Sequence, residues 1–539
     1  MPMFNTRRLA AAGVALLALA GTLAGCGDLT VQPKSTITSG NIFSDPNSYR
    51  AFLAKLYGGL VVTGQAGPNA DNTTPPADIA GIDEGFSQYM RAYWQFQEVP
   101  TDEAVIGWGD PGLPVINTQL WSASNEWVNA MYSRIFYQVA LANQFLRETT
   151  DAKLSGRGAT AQLKTEVAGY RNEARFLRAL SYYHAVDLYG PVPIVDENFD
   201  VSKLPTQATR AQVFGFVESE LKAVREALPA TSTGDYYGRA SQAAVDMILA
   251  HLYLNAEVWT GTARYADARA AAEAVINSNK FSLDQIFRRI FALDNTQSPE
   301  IIFTVPQDGL RTRTWGGLTY LIHAAVGDGM NAGDFGINGG WYGLRIRAQA
   351  ADRWTVVGPG APDKRAAIVV TQEHTKDVTN IAPFTNGYGY PKYSNKSTTT
   401  GAVGSNSNFP DTDYPMFRLA DAYLIYAEAV LRPNGGGSRA TALGYINALR
   451  DRAYGNTSGR IADSELSLQF ILDERSRELM WEGFRRQDLV RFNQFTENGV
   501  WQWKGGVREG RVTEKFRDLY PIPSNERSAN PNIAQNPGY

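Results

Sequence analysis

The chain has 539 residues, 51 Lys and Arg against 54 Asp and Glu, a formal charge of −3 and one cysteine. A composition this balanced, with no basic run, excludes nucleic acid as a partner. A lone cysteine excludes an internal disulfide, and nothing after the first 25 residues is apolar enough to span a bilayer.

The chain opens on a secretory leader. Arg7 and Arg8 precede an uncharged run from Leu9 to Ala24, and Leu23-Ala24-Gly25-Cys26 sets small residues before the cysteine. That pattern marks residues 1–25 as a cleaved signal peptide. The alternative, an uncleaved anchor helix, needs about 20 apolar residues, more than this run supplies. Cleavage would remove Arg7 and Arg8 and take the formal charge from −3 to −5. Cys26 is then the expected site of lipid attachment, through its sulfur and the newly freed amino group. Two or more acyl chains anchor a protein stably where one does not. Residues 26–40 are polar and read as a lipidated tether, leaving 41–539 as a single domain.

Asp45-Pro46 predicts a helix start. Tyr49, Phe52, Leu53, Leu56, Tyr57 and Leu60 follow at the spacing of one buried helix face. A second irregular and aromatic stretch covers about 83–117. Phe176, Leu177, Leu180 and Tyr183 give another helix, ended by Gly190-Pro191. Then come two helix pairs. One runs from about Gln242 to Ala256, turns at Thr260-Gly261 and returns from Tyr265 to Ile276. The other runs from Leu419 to Leu431, breaks at Pro433 to Gly437, and returns from about Ala440 to Arg452. Each has nearly the length of a tetratricopeptide unit, about 34 residues. Ordinary helical hairpins fit the periodicity equally well. Between about 282 and 417 helical periodicity fades, Ile301 to Val305 predicts a short strand, and Gly327 to Gly343 is dense in glycine. The fold class is therefore mostly α, with helix pairs as scaffold, long irregular loop regions and a few short strands.

Known catalytic motifs are absent. His184, His251, His323 and His374 show no metal-ligand spacing, and there is no His-Glu-x-x-His, P-loop, dinucleotide fingerprint or Gly-x-Ser-x-Gly. No metal or cofactor is expected. A glycoside hydrolase needs only two placed carboxylates, so that alternative stays open among 54 acidic residues. The charged cluster from Asp473 to Glu478, with Arg485, Arg486, Asp488 and Arg491, reads as an ion-pair ladder fixing the C-terminal helices through i, i+3 and i, i+4 pairs.

Several of these stretches together resemble the SusD/RagB family of outer-membrane nutrient-binding lipoproteins. Arg171 to Ala179, running on to Leu188-Tyr189-Gly190-Pro191-Val192-Pro193, resembles the family's central helix and its exit. Phe417 to Tyr423 with Glu428-Ala429 looks like its C-terminal helix entry, and Asn447, Arg450, Arg452 and Ala453 follow. Glu474-Arg475, Glu478-Leu479, Glu482-Gly483, Arg485, Asp488-Leu489 and Arg491 fall at the family spacing. Tyr520-Pro521-Ile522-Pro523, Glu526, Asn530-Pro531 and Gln535 to Tyr539 resemble its terminal signature. The resemblance implies a helical fold of four tetratricopeptide-like pairs and no catalysis. It implies a lid-like lipoprotein on the outer membrane, facing the cell exterior. Such a protein captures oligosaccharides, or peptides, for a SusC-like TonB-dependent barrel. A competing reading is an envelope scaffold that binds proteins through its helix pairs.

The signature positions are scaffold, so ligand contacts have to be sought in the loops. Sugar rings stack on flat aromatics while short polar side chains bind their hydroxyls. Two stretches combine both. One holds Tyr89, Arg91, Trp94, Trp108, Asp110 and Trp121. The other holds Trp315, Tyr320, Asn331, Asp334, Trp341 and Tyr342, with glycines that allow close backbone approach. Trp94 and Trp121 lie beside apolar runs and are expected in the core. Trp108 sits in Gly107-Trp108-Gly109-Asp110 and Trp341 follows Gly339-Gly340. Trp108, Trp341, Tyr342 and Asp110 are expected to line a shallow ligand face, with Tyr89, Arg91, Trp315, Tyr320 and Asn331 as further candidate contacts.

Overall fold

Side chains at the helix starts do much to set the fold's boundaries. The computed structural model describes residues 42–64, 67–68 and 77–539, so the leader, Cys26 and the tether lie outside the described residues. The chain divides after Ser48, and the unit Tyr49–Tyr539 holds one contiguous hydrophobic core that runs from Leu53 to Ile533. Labelling helices of seven residues or more, α1 is Asn47–Gly58, α2 Tyr89–Glu98, α3 Glu126–Glu148, α4 Ala161–Leu188, α5 Arg210–Arg225 and α6 Gln242–Leu254. Next are α7 Tyr265–Asn277, α8 Gly317–Ala324, α9 Leu419–Leu431, α10 Arg439–Tyr454, α11 Leu468–Leu479 and α12 Arg485–Arg491. Asn125, Thr160, Thr209, Ser241, Ser438 and Ser467 each cap a free N–H at the start of a helix.

Neighbouring helices pack in a row, α3 on α4, α4 on α5, α5 on α6, α6 on α7, α7 on α9 and α9 on α10. Apolar faces that could not be buried alone are shared along the row, as in tetratricopeptide-like stacks. Both helix pairs expected from the sequence are present, at Gln242–Leu254 with Tyr265–Asn277 and at Leu419–Leu431 with Arg439–Tyr454. Gly261, at φ +79°, ends a short helix between the first two. Because α7 and α9 are neighbours, residues 278–418 form an insertion between adjacent members of the row.

The strands are few. β1 is Val105–Ile106, β2 Ile301–Val305, β3 Leu344–Arg345 and β4 Tyr414–Arg418. β2, the strand expected from Ile301 to Val305, pairs antiparallel with β4, and β1 pairs antiparallel with β3. The two irregular stretches are less irregular than the sequence suggests. All ten residues of α2 and all eight of α8 are buried. Both helices are short, and polar residues such as Arg91, Gln95, Gln97 and His323 occupy buried positions, so residue type does not report burial there.

The C-terminal charged cluster is also corrected. It is not mainly a ladder along one helix. Arg475 bonds Asp421 of α9 at 3.0 Å and Asp488 of α12 at 2.8 Å. Glu478 meets Arg365, Arg418 and Arg452, and Arg491 meets Glu428 at 2.6 Å. Only Glu474–Arg477 and Asp488–Arg491 keep the i, i+3 spacing within the cluster. The network joins helices through the interior, and its structural reading stands while its geometry is tertiary.

Candidate functional site

The β1–β3 ladder brings the two glycine-rich loops side by side. Val105 pairs with Arg345, Ile106 pairs with Leu344, and the Gly107 amide donates to the Gly343 carbonyl at 3.0 Å. Trp108 leaves β1 as Trp341 enters β3. The Trp108 indole N–H donates to the Trp341 carbonyl at 3.0 Å, with ring centroids 6.2 Å apart. A Cβ on Gly343 would stand 2.6 Å from Trp108 Cε2, so the close approach requires glycine. Trp341 in turn stacks on His323 at 4.7 Å and lies 5.9 Å from Trp315, whose other neighbour is Phe409 at 4.8 Å.

Beside Trp315 lies a cavity of about 780 Å³, open to solvent. Its walls come from the turn Asp83–Phe86, from Arg91 on α2, from Asp110-Pro111 after β1, from Glu126-Trp127 at the start of α3, and from Trp315. Local bonds fix each piece. Gln88 caps α2 by accepting from the Arg91 amide at 2.8 Å, and the same oxygen accepts from the Gly317 amide at 2.9 Å, tying α2 to α8. Asn125 caps α3 and also donates to the Gly112 carbonyl at 2.9 Å, while the Trp127 indole donates to the Pro111 carbonyl at 2.8 Å. The loop carrying Asp110 is thereby tied to α3. Phe86 and Trp127 lie 4.3 Å apart, forming an apolar patch in the wall.

Arg91 is 8% exposed. Its Nη1 donates to the Trp315 carbonyl at 3.1 Å, and its guanidinium lies 4.3 Å over the Tyr320 ring. Burial lowers its pKa, against the opposing pull of Asp83, Asp110 and Glu84. Glu84 accepts from the Thr63 and Thr314 hydroxyls at 2.8 and 2.9 Å, and burial raises its carboxyl above the usual range. Asp83 accepts from the Phe86 amide at 3.0 Å.

Of the residues singled out in the sequence, Arg91, Asp110 and Trp315 line this cavity. Trp108 and Trp341 are half-buried, as Trp315 is; neither lines the cavity, and Trp341 lies 5.9 Å from Trp315. Two candidates are corrected. Tyr89 is 1% exposed and spends its hydroxyl on His184 Nδ1 at 2.9 Å. Tyr320 is 0% exposed, edge-on to Trp94 and Trp108 beneath Arg91. Neither ring has a face left for a sugar; Tyr320 positions Arg91 instead. Asn331 caps an exposed turn, accepting from the Gly333 amide at 3.2 Å, and Tyr342 projects beside Phe384; neither lines the cavity. Trp94 and Trp121 are core, as expected. Sequence reasoning missed Glu84, Phe86, Glu126 and Trp127. Trp127 belongs to an amphipathic helix and carries no loop signature, while the others gain meaning only from what faces them.

Two family models match the chain. One, described as the SusD family, covers residues 367–539, and the other, described as starch-binding and associating with the outer membrane, covers 112–254. The starch-binding protein SusD of Bacteroides thetaiotaomicron is 31% identical, over 99% of this chain and 99% of its own length. SusD-like protein P2 of Formosa agariphila is 24% identical over 98% of this chain and 99% of its own. Among solved structures, surface glycan-binding protein A of Bacteroides fluxus superposes with a TM-score of 0.69 at 20% identity, covering 94% of this chain and 100% of that one. Surface glycan-binding protein A of Bacteroides thetaiotaomicron in complex with laminarihexaose gives 0.67 at 19%, covering 90% and 98%. End-to-end likeness to SusD, a matching family model at the C-terminus and the shared helical fold lead to one conclusion: this chain belongs to the SusD family.

Proposed function

We propose that this protein captures oligosaccharides in the cavity beside Trp315 and passes them to a SusC-like TonB-dependent outer-membrane barrel, without catalysing a reaction. The observation that carries the reading is the pairing of aromatic and polar groups in one open cavity. Trp315 and the Phe86–Trp127 patch offer flat apolar surface, and Arg91, Asp83 and Asp110 offer hydrogen-bonding groups to hydroxyls. The names of relatives support it: one is a starch-binding protein, and a structural neighbour was solved with laminarihexaose. Those relatives are named as binding proteins, which favours capture over hydrolysis.

The anchor belongs to the same reading. Cys26 carries the lipid, residues 26–40 form the tether, and the domain faces the cell exterior. Among the described residues no helix is long and apolar enough to cross a membrane, and one matching family is described as associating with the outer membrane. Calorimetry against a panel of oligosaccharides tests the capture site. Trp315→Ala should lower affinity for whichever oligosaccharide binds by about tenfold or more, the scale of a lost stacking surface. Unchanged affinity would remove Trp315 and this cavity from the proposal.

A further inference from the structure

Charge is distributed unevenly around the cavity. Among the described residues its walls carry four carboxylates, Asp83, Glu84, Asp110 and Glu126, and a single guanidinium, Arg91. Asp110 and Glu126 are exposed at the rim, whereas Arg91 is more than nine-tenths buried in the wall. No three acidic or histidine side chains among the described residues are gathered closely enough to hold a metal ion, so the carboxylates are spread around the opening rather than focused on a cation.

Their fields overlap. Asp83 and Asp110 both push the Glu126 carboxyl above its ordinary pKa, after burial, the larger cause. Asp83, Asp110 and Glu84 all act on Arg91. The one cation is therefore already outnumbered by carboxylates before any ligand arrives. Arg91 nonetheless keeps donor capacity. Among the described residues Nη1 bonds the Trp315 carbonyl, while the buried Nε has no hydrogen-bond partner. Such a donor can serve a neutral hydroxyl as well as an anion.

Resting on the capture reading above, we infer that this cavity selects neutral or amino-sugar oligosaccharides and rejects those bearing uronate or sulfate groups. A hydroxyl placed against Arg91 gains a charge-assisted bond and meets no repulsion. A uronate or sulfate there would gain the same bond but face the surplus negative charge of Asp83, Asp110 and Glu126, and like-charge juxtaposition is a strong means of rejecting wrong partners. A protonated amino sugar would be favoured by the same field.

The test uses the mature full-length protein on an array of neutral, amino-sugar, uronate and sulfated oligosaccharides, followed by calorimetry at low and high salt. The wild type should bind a neutral or amino-sugar ligand, and an acidic analogue of the same chain about tenfold or more weaker at low salt. Added salt should narrow that ratio, since the rim charges are exposed to screening. The variant Glu126→Gln alters an exposed side chain to which the capture reading assigns no hydroxyl contact. It should bind the neutral ligand as before and narrow the ratio about twofold at low salt. An acidic oligosaccharide as the tightest ligand, with its binding lost in Trp315→Ala, would overturn the selectivity while leaving capture intact. So would a ratio that ignores both salt and Glu126→Gln. Binding of no oligosaccharide at all would overturn the capture reading and this inference with it.

Discussion

Glu478 offers a sharp test of what holds the C-terminal half together. Its side chain is 0% exposed. Oε1 accepts from Arg418 Nη1 at 2.6 Å and from Arg452, and Oε2 accepts from Arg365 Nη1 at 2.9 Å. Glu478→Gln keeps the shape but removes the charge, and it turns one acceptor into an amide that points hydrogens at guanidiniums. The arginines keep other partners. Arg418 retains Glu300 and Glu482, both at 2.7 Å, Arg452 retains Glu300 at 3.1 Å, and Arg365 retains Glu474 at 2.8 Å. Those remaining bonds prevent collapse but leave the network with one uncompensated positive charge in the interior. Breaking a buried pair from one side costs about 3–5 kcal/mol. Urea unfolding followed by circular dichroism should therefore show a lower midpoint at unchanged slope. The exposed pair Arg439–Asp463 gives the contrast: with side chains 42% and 60% exposed, Asp463→Asn should cost less than about 1 kcal/mol. Neither Glu478 nor its partners line the cavity, so folded Glu478→Gln protein should bind ligand normally. A cost for Glu478→Gln no larger than that for Asp463→Asn would refute the reasoning.

Acid should attack the same network. Burial alone would raise Glu474, Glu428 and Asp421, but Arg365 and Arg477 beside Glu474, Arg491 and Arg432 beside Glu428, and His251 and Arg475 beside Asp421 hold each at about 2. These folded values lie below the unfolded ones of about 4, so their stabilisation is complete above about pH 4.5 and is lost as pH falls toward 2; constant stability across that window, measured by urea midpoints, would contradict the assignment. Gly343→Ala should lower stability by about 1–3 kcal/mol in thermal unfolding, because the new Cβ would stand 2.6 Å from Trp108 Cε2. Cys26→Ala should leave folding and ligand binding intact but release the protein from washed membranes, and its retention there without the barrel would contradict the anchor.

The helix pairs were legible because each helix runs for at least 13 residues and is bounded by a turn signal. Leu419, Ala422, Tyr423, Tyr426 and Ala427 recur at helical spacing, and a run of glycines follows, so the element and its end could both be read. α2 and α8 are shorter, at 10 and 8 residues, and their polar residues are buried with the rest. The charged cluster was recognised as structural, but its partners were misassigned. Sequence spacing reports only neighbours along one helix, whereas Arg365, Arg418 and Arg452 come from three other places in the chain.

The candidate site divides in the same way. By itself the sequence determined the family, the helical scaffold and the two aromatic loops that carry Asp110 and Trp315, because these depend on local periodicity, composition and motif order. Tertiary structure decided the rest. A ladder of two residue pairs sets Trp108 against Trp341, Tyr320 is drawn under Arg91, and Glu126-Trp127 is brought from a helix start to face Trp315. Which aromatics keep an open face, and which carboxylates share one cavity, depends on contacts between residues far apart in the chain, and burial of that kind leaves no periodic mark on the sequence.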